Sequence, residues 1–126
     1  MLEKQLKSIL IVDDNHDAAD SLAILFKHEG HRVAIAYDSD SGLALALESR
    51  PDIIFHDIGI PIVDGYAAAR RIRNNPRFAK TLLVALTAYD ATTDRRLAVM
   101  AGFDLHMSKS LNFDELKVAL SRSRMS

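Results

Sequence analysis

Four short apolar runs each lead into a polar side chain able to do chemistry. Ile9 to Val12 ends in Asp13 and Asp14, Ile53 to Phe55 in His56 and Asp57, and Leu82 to Leu86 in Thr87, while Leu105 to Met107 reaches Lys109 through Ser108. Adjacent carboxylates disfavour each other's ionisation, and a hard divalent cation with oxygen ligands offsets that repulsion. One member of the Asp13-Asp14 pair could equally cap a following helix while the other faces water, so the pair alone leaves both readings open. Asp57 closes another buried run and belongs beside the pair if the first and third strands are neighbours. Mg²⁺ suits such a donor set, because it takes one or two carboxylates together with waters and a phosphate oxygen. A carboxylate in that position is also a nucleophile toward a phosphoryl group, giving an acyl phosphate. Phosphoryl transfer asks mainly for positioning and charge neutralisation. Lys109 offers a compact positive charge on a flexible stem, and Thr87 a small hydroxyl donor.

These residues converge only if the elements between them are arranged suitably. Apolar runs this short, alternating with helical patterns, read as buried parallel strands, and ligands bind outside the carboxyl ends of such strands. After the first run, Ala18, Leu22, Leu25 and Phe26 recur at helical spacing up to Gly30, a C-terminal stop. Arg32 to Ala36 reads as the second strand, with Ser39 as cap of a helix carrying Leu43, Ala44 and Leu47 before Pro51. Beyond Asp57, Gly59 and Pro61 mark a loop, and Asp64 is the expected cap of a helix ending near Asn74-Asn75-Pro76. A helix from about Ala91 to Ala101 stops at Gly102, Phe103 to Met107 forms the fifth strand, and Asn112 with Glu115 resembles a capping box for a last helix. Strict alternation predicts an α/β fold: one flavodoxin-like, doubly wound domain over residues 1–126, with a structured core of about 8–122. Its five parallel strands run in the order 2-1-3-4-5, with five helices.

Composition narrows the classes of function. The 126 residues, 48% hydrophobic and 26% charged, suit a single globular domain. A net charge of -1 supplies no field that would draw the chain to nucleic acid or an anionic membrane. Arg70, Arg71 and Arg73 are accordingly expected to form a solvated helix face. No apolar stretch approaches the roughly 20 residues needed to cross a bilayer. The chain has no cysteine and a charged start at Met1 to Ser8, so a cytoplasmic location is expected. Strand alternation turns His56 away from Asp57, as a packed or capped histidine.

The segments Ile9-Leu10-Ile11-Val12-Asp13-Asp14-Asn15, Asp57-Ile58-Gly59-Ile60-Pro61 with Asp64-Gly65-Tyr66, Ala85-Leu86-Thr87-Ala88, and Lys109 together resemble the receiver domain of two-component response regulators, over essentially the whole chain. The resemblance implies that Asp57 accepts a phosphoryl group from a histidine kinase or histidine phosphotransfer protein. It implies Mg²⁺ held by Asp13, Asp14, Asp57 and the Gly59 carbonyl, and phosphoryl oxygens contacted by Thr87, the Ala88 amide and Lys109. It further implies a two-state switch through Thr87 and His106, and an output face for a downstream protein on helix 4, strand 5 and helix 5. Homodimerisation on phosphorylation fits the same family. Gly59 and Tyr89, two residues after the acceptor and two after the threonine, fall where receivers tune the lifetime of the acyl phosphate. The chain departs from the family at Ser110, where proline usually follows the lysine, often with a cis peptide, and at His106, where tyrosine or phenylalanine is usual. The resemblance implies a phosphoacceptor rather than an enzyme, either standing alone or cut from a longer hybrid kinase. A degenerate receiver that only binds protein, and a metal-dependent phosphohydrolase with an Asp nucleophile, are the alternative readings.

Overall fold

The computed structural model describes residues 6–58, 62–87, 99–108 and 113–122. Five strands, β1 (Ser8–Val12), β2 (Arg32–Ala36), β3 (Ile53–Asp57), β4 (Leu82–Thr87) and β5 (Leu105–Ser108), form one parallel sheet in the order β2-β1-β3-β4-β5. Between and after them run α1 (His16–His28), α2 (Ser39–Ser49), α3 (Ile62–Arg73), α4, described over 99–101, and α5 (Phe113–Arg122). The expected topology and strand order are those observed.

Sequence alternation distributes the core over two sheet faces. Leu10, Val12, Ala36, Ile54, Leu83 and Ala85 pack against Ala46 of α2, Ala69 and Ile72 of α3 and Ala101 of α4. The intervening residues Ile9, Ile11, Ile53, Phe55, Val84, Leu86 and Met107 meet Ala19, Leu22, Ala23 and Phe26 of α1 and Leu116 and Ala119 of α5. Every residue of β3 and of β4 is buried, which is why both read as continuous apolar runs. Burying each large aliphatic or aromatic side chain there contributes about 1.5 to 3 kcal/mol. Parallel register then brings all the carboxyl ends to one edge: Ala36, Val12, His56, Ala85 and His106 form a single row across the sheet.

Several local details differ from the sequence reading. Asp38, not Ser39, caps α2: its carboxylate accepts from the Ser41 amide at 2.7 Å and the Ser41 hydroxyl at 3.1 Å, with the extended backbone a cap requires. These hydrogen bonds hold the Asp38 carboxyl below its ordinary pKa. α3 begins at Ile62, so Asp64 falls inside its first turn rather than before it. Pro76–Phe78 forms a short 3₁₀ turn, with Asn75 as its cap, that buries Phe78. β5 starts at Leu105, not Phe103, because the Asp104 side chain accepts from the Leu83 amide at 2.9 Å while Phe103 drops into the core. Asn112, the expected cap of the last helix, lies outside the described residues.

The arginine triplet also divides. Arg70 and Arg71 are exposed, but Arg73 is a clamp. Its Nε donates to the Gly102 carbonyl at 2.7 Å, Nη1 to the Phe78 carbonyl at 3.0 Å, and Nη2 to the Thr81 carbonyl at 2.9 Å and to the Asp104 carboxylate. One planar guanidinium thereby ties together the segments entering β4 and β5. Gly102 makes this possible twice over: its φ of 111° is left-handed, and a Cβ there would lie 2.3 Å from Arg73 Cγ.

Candidate functional site

The carboxyl ends of β1 and β3 place three carboxylates together. Asp13 follows β1 directly, and its amide donates to the Ala36 carbonyl at 3.0 Å, carrying the β1–β2 ladder one residue further. Its Oδ1 accepts from the Asn15 amide at 3.0 Å, which folds the chain toward α1. Asn15 in turn caps α1, with its side-chain oxygen accepting from the Ala18 amide at 3.0 Å. The cap is therefore neither Asp13 nor Asp14, and the reading of that pair as cap and bystander falls away. Asp57 ends β3, and the next amide, Ile58, donates to the Leu86 carbonyl at 3.0 Å, so the β3–β4 ladder runs on past Asp57.

Asp13, Asp14 and Asp57 each offer a carboxylate oxygen, and these oxygens lie within 4.8 Å of one another. Asp13 and Asp57 are buried, at 1% and 2% exposure, whereas Asp14 faces solvent. Two buried carboxylates beside a third demand compensating positive charge. All-oxygen donors opening to water on one side fit a hard divalent cation that keeps part of its hydration, as Mg²⁺ does. Thr87, the last residue of β4, is buried beside this edge, opposite Ser108 in register.

His56 lies one residue back from Asp57, in the row with Val12 and Ala85, as expected from alternation. A carbonyl oxygen can only accept, so the 3.0 Å contact between His56 Nδ1 and the Asp57 carbonyl puts the proton on Nδ1. Nε2 then accepts from the Ser39 hydroxyl, 3.5 Å away. Burial pushes the His56 imidazole below its ordinary pKa, against the opposing pull of the Asp57 carbonyl and the Asp13 charge. His106 lies across Ala85 from His56, and its Nε2 is shielded from solvent. Lys109, Gly59, Ala88, Tyr89 and Ser110 lie outside the described residues.

One feature of this edge is not apparent from spacing. Tyr37, directly after β2, stacks on His16 at 3.7 Å between ring centroids and 7° between planes. Its hydroxyl donates to Asp20 Oδ1 at 2.8 Å, which raises the phenol pKa. The only hint in the sequence is an aromatic residue with a polar end closing a strand that otherwise stops at Ala36.

Five parallel strands in this order, with an acidic cluster at the carboxyl ends of β1 and β3, define a flavodoxin-like α/β domain with its reactive groups on one edge. Residues 9–121 match the response regulator receiver domain family, and the chain belongs to it. It is accordingly a phosphoacceptor signalling domain of two-component systems. It is 30% identical over 112 residues to protein PilG of Pseudomonas aeruginosa, covering 89% of this chain and 83% of PilG. It is 34% identical over 116 residues to hybrid signal transduction histidine kinase D of Dictyostelium discoideum, covering 86% of this chain but 8% of that kinase. Among solved structures it resembles the receiver domain of a sensor histidine kinase from Pseudomonas aeruginosa PAO1, which holds a magnesium ion in its active-site cleft. There the TM-score is 0.82 at 29% identity, covering 94% of this chain and 98% of that one.

Proposed function

We propose that Asp57 takes a phosphoryl group from the phosphohistidine of a histidine kinase or histidine phosphotransfer protein, at a Mg²⁺ site formed by Asp13, Asp14 and Asp57. The observation that carries this reading is the convergence of the three carboxylates within 4.8 Å at the carboxyl edge. A carboxylate oxygen of Asp57 forms the new O–P bond as the P–N bond breaks, and the departing imidazole nitrogen keeps the electron pair and takes a proton from water. A bound divalent cation supplies charge neutralisation for the carboxylates and the transferring oxygens. Asp13 and Asp14 hold that charge beside the acceptor, while burial of Asp57 limits access of competing water. Thr87, the Ala88 amide and Lys109 are assigned to the phosphoryl oxygens, the Gly59 carbonyl to the metal, and Gly59 and Tyr89 to the acyl-phosphate lifetime, on the strength of the matching motifs.

Conversion of a carboxylate to its acyl phosphate adds about one negative charge. One unit pair about 4 Å apart at an effective dielectric near 20 is worth on the order of 4 kcal/mol. A shift of about 5.5 kcal/mol moves a two-state equilibrium from 1:99 to 99:1, so regrouping Thr87 and Lys109 around the phosphoryl group supplies much of the energy for a switch that includes His106. The output face assigned to α4, β5 and α5 carries Val99, Met100 and Val118 as exposed apolar side chains, which suits a downstream protein or a second copy on phosphorylation. Among the described residues no helix is long and apolar enough to cross a membrane. The reading takes the domain as about residues 8–122, acting in the cytoplasm.

Incubation with Mg²⁺ and acetyl phosphate, with Asp57→Asn as control, tests the proposal. Stoichiometric acid-stable, base-labile labelling that is lost in Asp57→Asn is expected. Multiple turnover without accumulation marks a phosphohydrolase, and no reaction marks a binding-only receiver.

A further inference from the structure

Of the three clustered carboxylates, Asp13 and Asp57 are held by burial and strand pairing, whereas Asp14 stands exposed in the short turn between β1 and α1. Where its oxygen points depends on the backbone of residues 13–16. That segment is closed into a ring. The Asp13 amide bonds the Ala36 carbonyl, Tyr37 follows Ala36, and the Tyr37 ring lies face to face on His16, which leads back through Asn15 to Asp14. The Tyr37 hydroxyl also grips Asp20, one helical turn beyond His16 and on the same face of α1. The tyrosine thus fastens both ends of the first turn of α1 to the end of β2, with Asp14 inside the loop so formed.

We infer that Tyr37 is a positioning residue for the Asp14 carboxylate, acting through His16 and Asp20 to preset the cation-binding geometry. The inference rests on the reading of Asp13, Asp14 and Asp57 as a Mg²⁺ site. A ligand restrained before the metal arrives loses less conformational freedom on binding, and groups that orient ligands are accordingly worth a measurable part of the affinity. Tyr37 is only partly buried and directs its hydroxyl to Asp20, so its effect is expected in metal affinity rather than in the transfer step.

The test is calorimetric titration of the full chain with Mg²⁺, paired with phosphoryl uptake from acetyl phosphate at a series of Mg²⁺ concentrations. Tyr37→Ala is expected to raise the Mg²⁺ Kd, and the half-saturating Mg²⁺ concentration for uptake, by about 10-fold, the lower end for groups that orient metal ligands. The rate at saturating Mg²⁺ should change less. Tyr37→Phe, which keeps the ring and loses the hydroxyl, should restore most of the affinity. Should Tyr37→Ala fail to fold, His16→Ala removes the stacking partner from an exposed position and must show the same rise. An unchanged Kd in a folded Tyr37→Ala or His16→Ala overturns the inference, even if the melting temperature without metal falls. A wild-type chain that binds Mg²⁺ but takes no phosphoryl group refutes the phosphoacceptor reading and leaves the positioning result standing; one that binds no Mg²⁺ overturns both.

Discussion

Asp13→Asn should make the protein more stable without metal and less responsive to it. The substitution keeps the side chain's shape and its Oδ1, which accepts from the Asn15 amide, so the turn into α1 survives. It removes one of three negative charges whose oxygens lie within 4.8 Å. Coulomb's law at an effective dielectric of about 20 gives about 3.5 kcal/mol for a unit pair at that separation. The full value applies best to the buried Asp13 and Asp57; the exposed Asp14 is screened by water, which reduces the total. A gain of about 1 to 3 kcal/mol in metal-free stability is the expected result. The wild type should gain about 2.7 kcal/mol from Mg²⁺ at one hundred times its Kd. In a domain of this size that is a rise of roughly 8 to 13 °C in Tm, most of which the variant should lose. Thermal melts by circular dichroism, in EDTA and in saturating Mg²⁺, read both quantities from the same samples. A variant that melts below wild type in EDTA, or that gains as much as wild type from Mg²⁺, refutes the account of this cluster as mutually repelling charges that a cation relieves.

Three further outcomes follow from particular contacts. Arg73→Met strips the partners from three carbonyls and from Asp104, and should cost about 2 to 4 kcal/mol in urea melts. Mg²⁺ affinity of the folded fraction should be unchanged, because the clamp sits where the chain enters β4 and β5, at the edge opposite the carboxylates. Gly102→Ala should cost about 1 to 3 kcal/mol by the same assay, since the new methyl meets both a left-handed backbone and Arg73. His56→Gln should flatten the acid side of the stability profile. Burial lowers the folded-state pKa of His56 below its unfolded value of about 6.5, so its contribution is complete above that pH and is lost as pH falls through the folded value. Urea midpoints for wild type and variant, compared from about pH 7.5 to about pH 5, should converge toward acid; parallel profiles would falsify this assignment.

Much of the fold could be read from the chain because its signals are local. β3 and β4 are buried on both faces, and their sequences contain no residue that competes with that placement until His56 and Asp57 in one and Thr87 in the other. β2 likewise has the expected bounds, Arg32–Ala36. Two of the misreadings occur where nearby residues are chemically equivalent for the task at hand. Asp38 and Ser39 can both cap a helix, and the choice went to the carboxylate that reaches both the amide and the hydroxyl of Ser41. Arg70, Arg71 and Arg73 share a type and a helix. Only Arg73 lies where the chain entering β4 and β5 presents carbonyls to it, and those carbonyls belong to residues up to 29 positions away.

Residue types and their place at run ends determined, without coordinates, that acidic side chains would end β1 and β3, that a hydroxyl would end β4, and that the sheet would be parallel. Periodicity and burial preference act over a few residues, and every chain segment carries them intrinsically. Tertiary structure decided what depends on separate segments meeting. It brought Asp13 and Asp14 within reach of Asp57, more than forty positions away, and gave the cap of α1 to Asn15 rather than to either carboxylate of the pair. It also placed Tyr37 on His16 and Asp20. Such contacts are fixed by strand register and helix docking, which are properties of the packed sheet as a whole, and no single stretch of sequence specifies them.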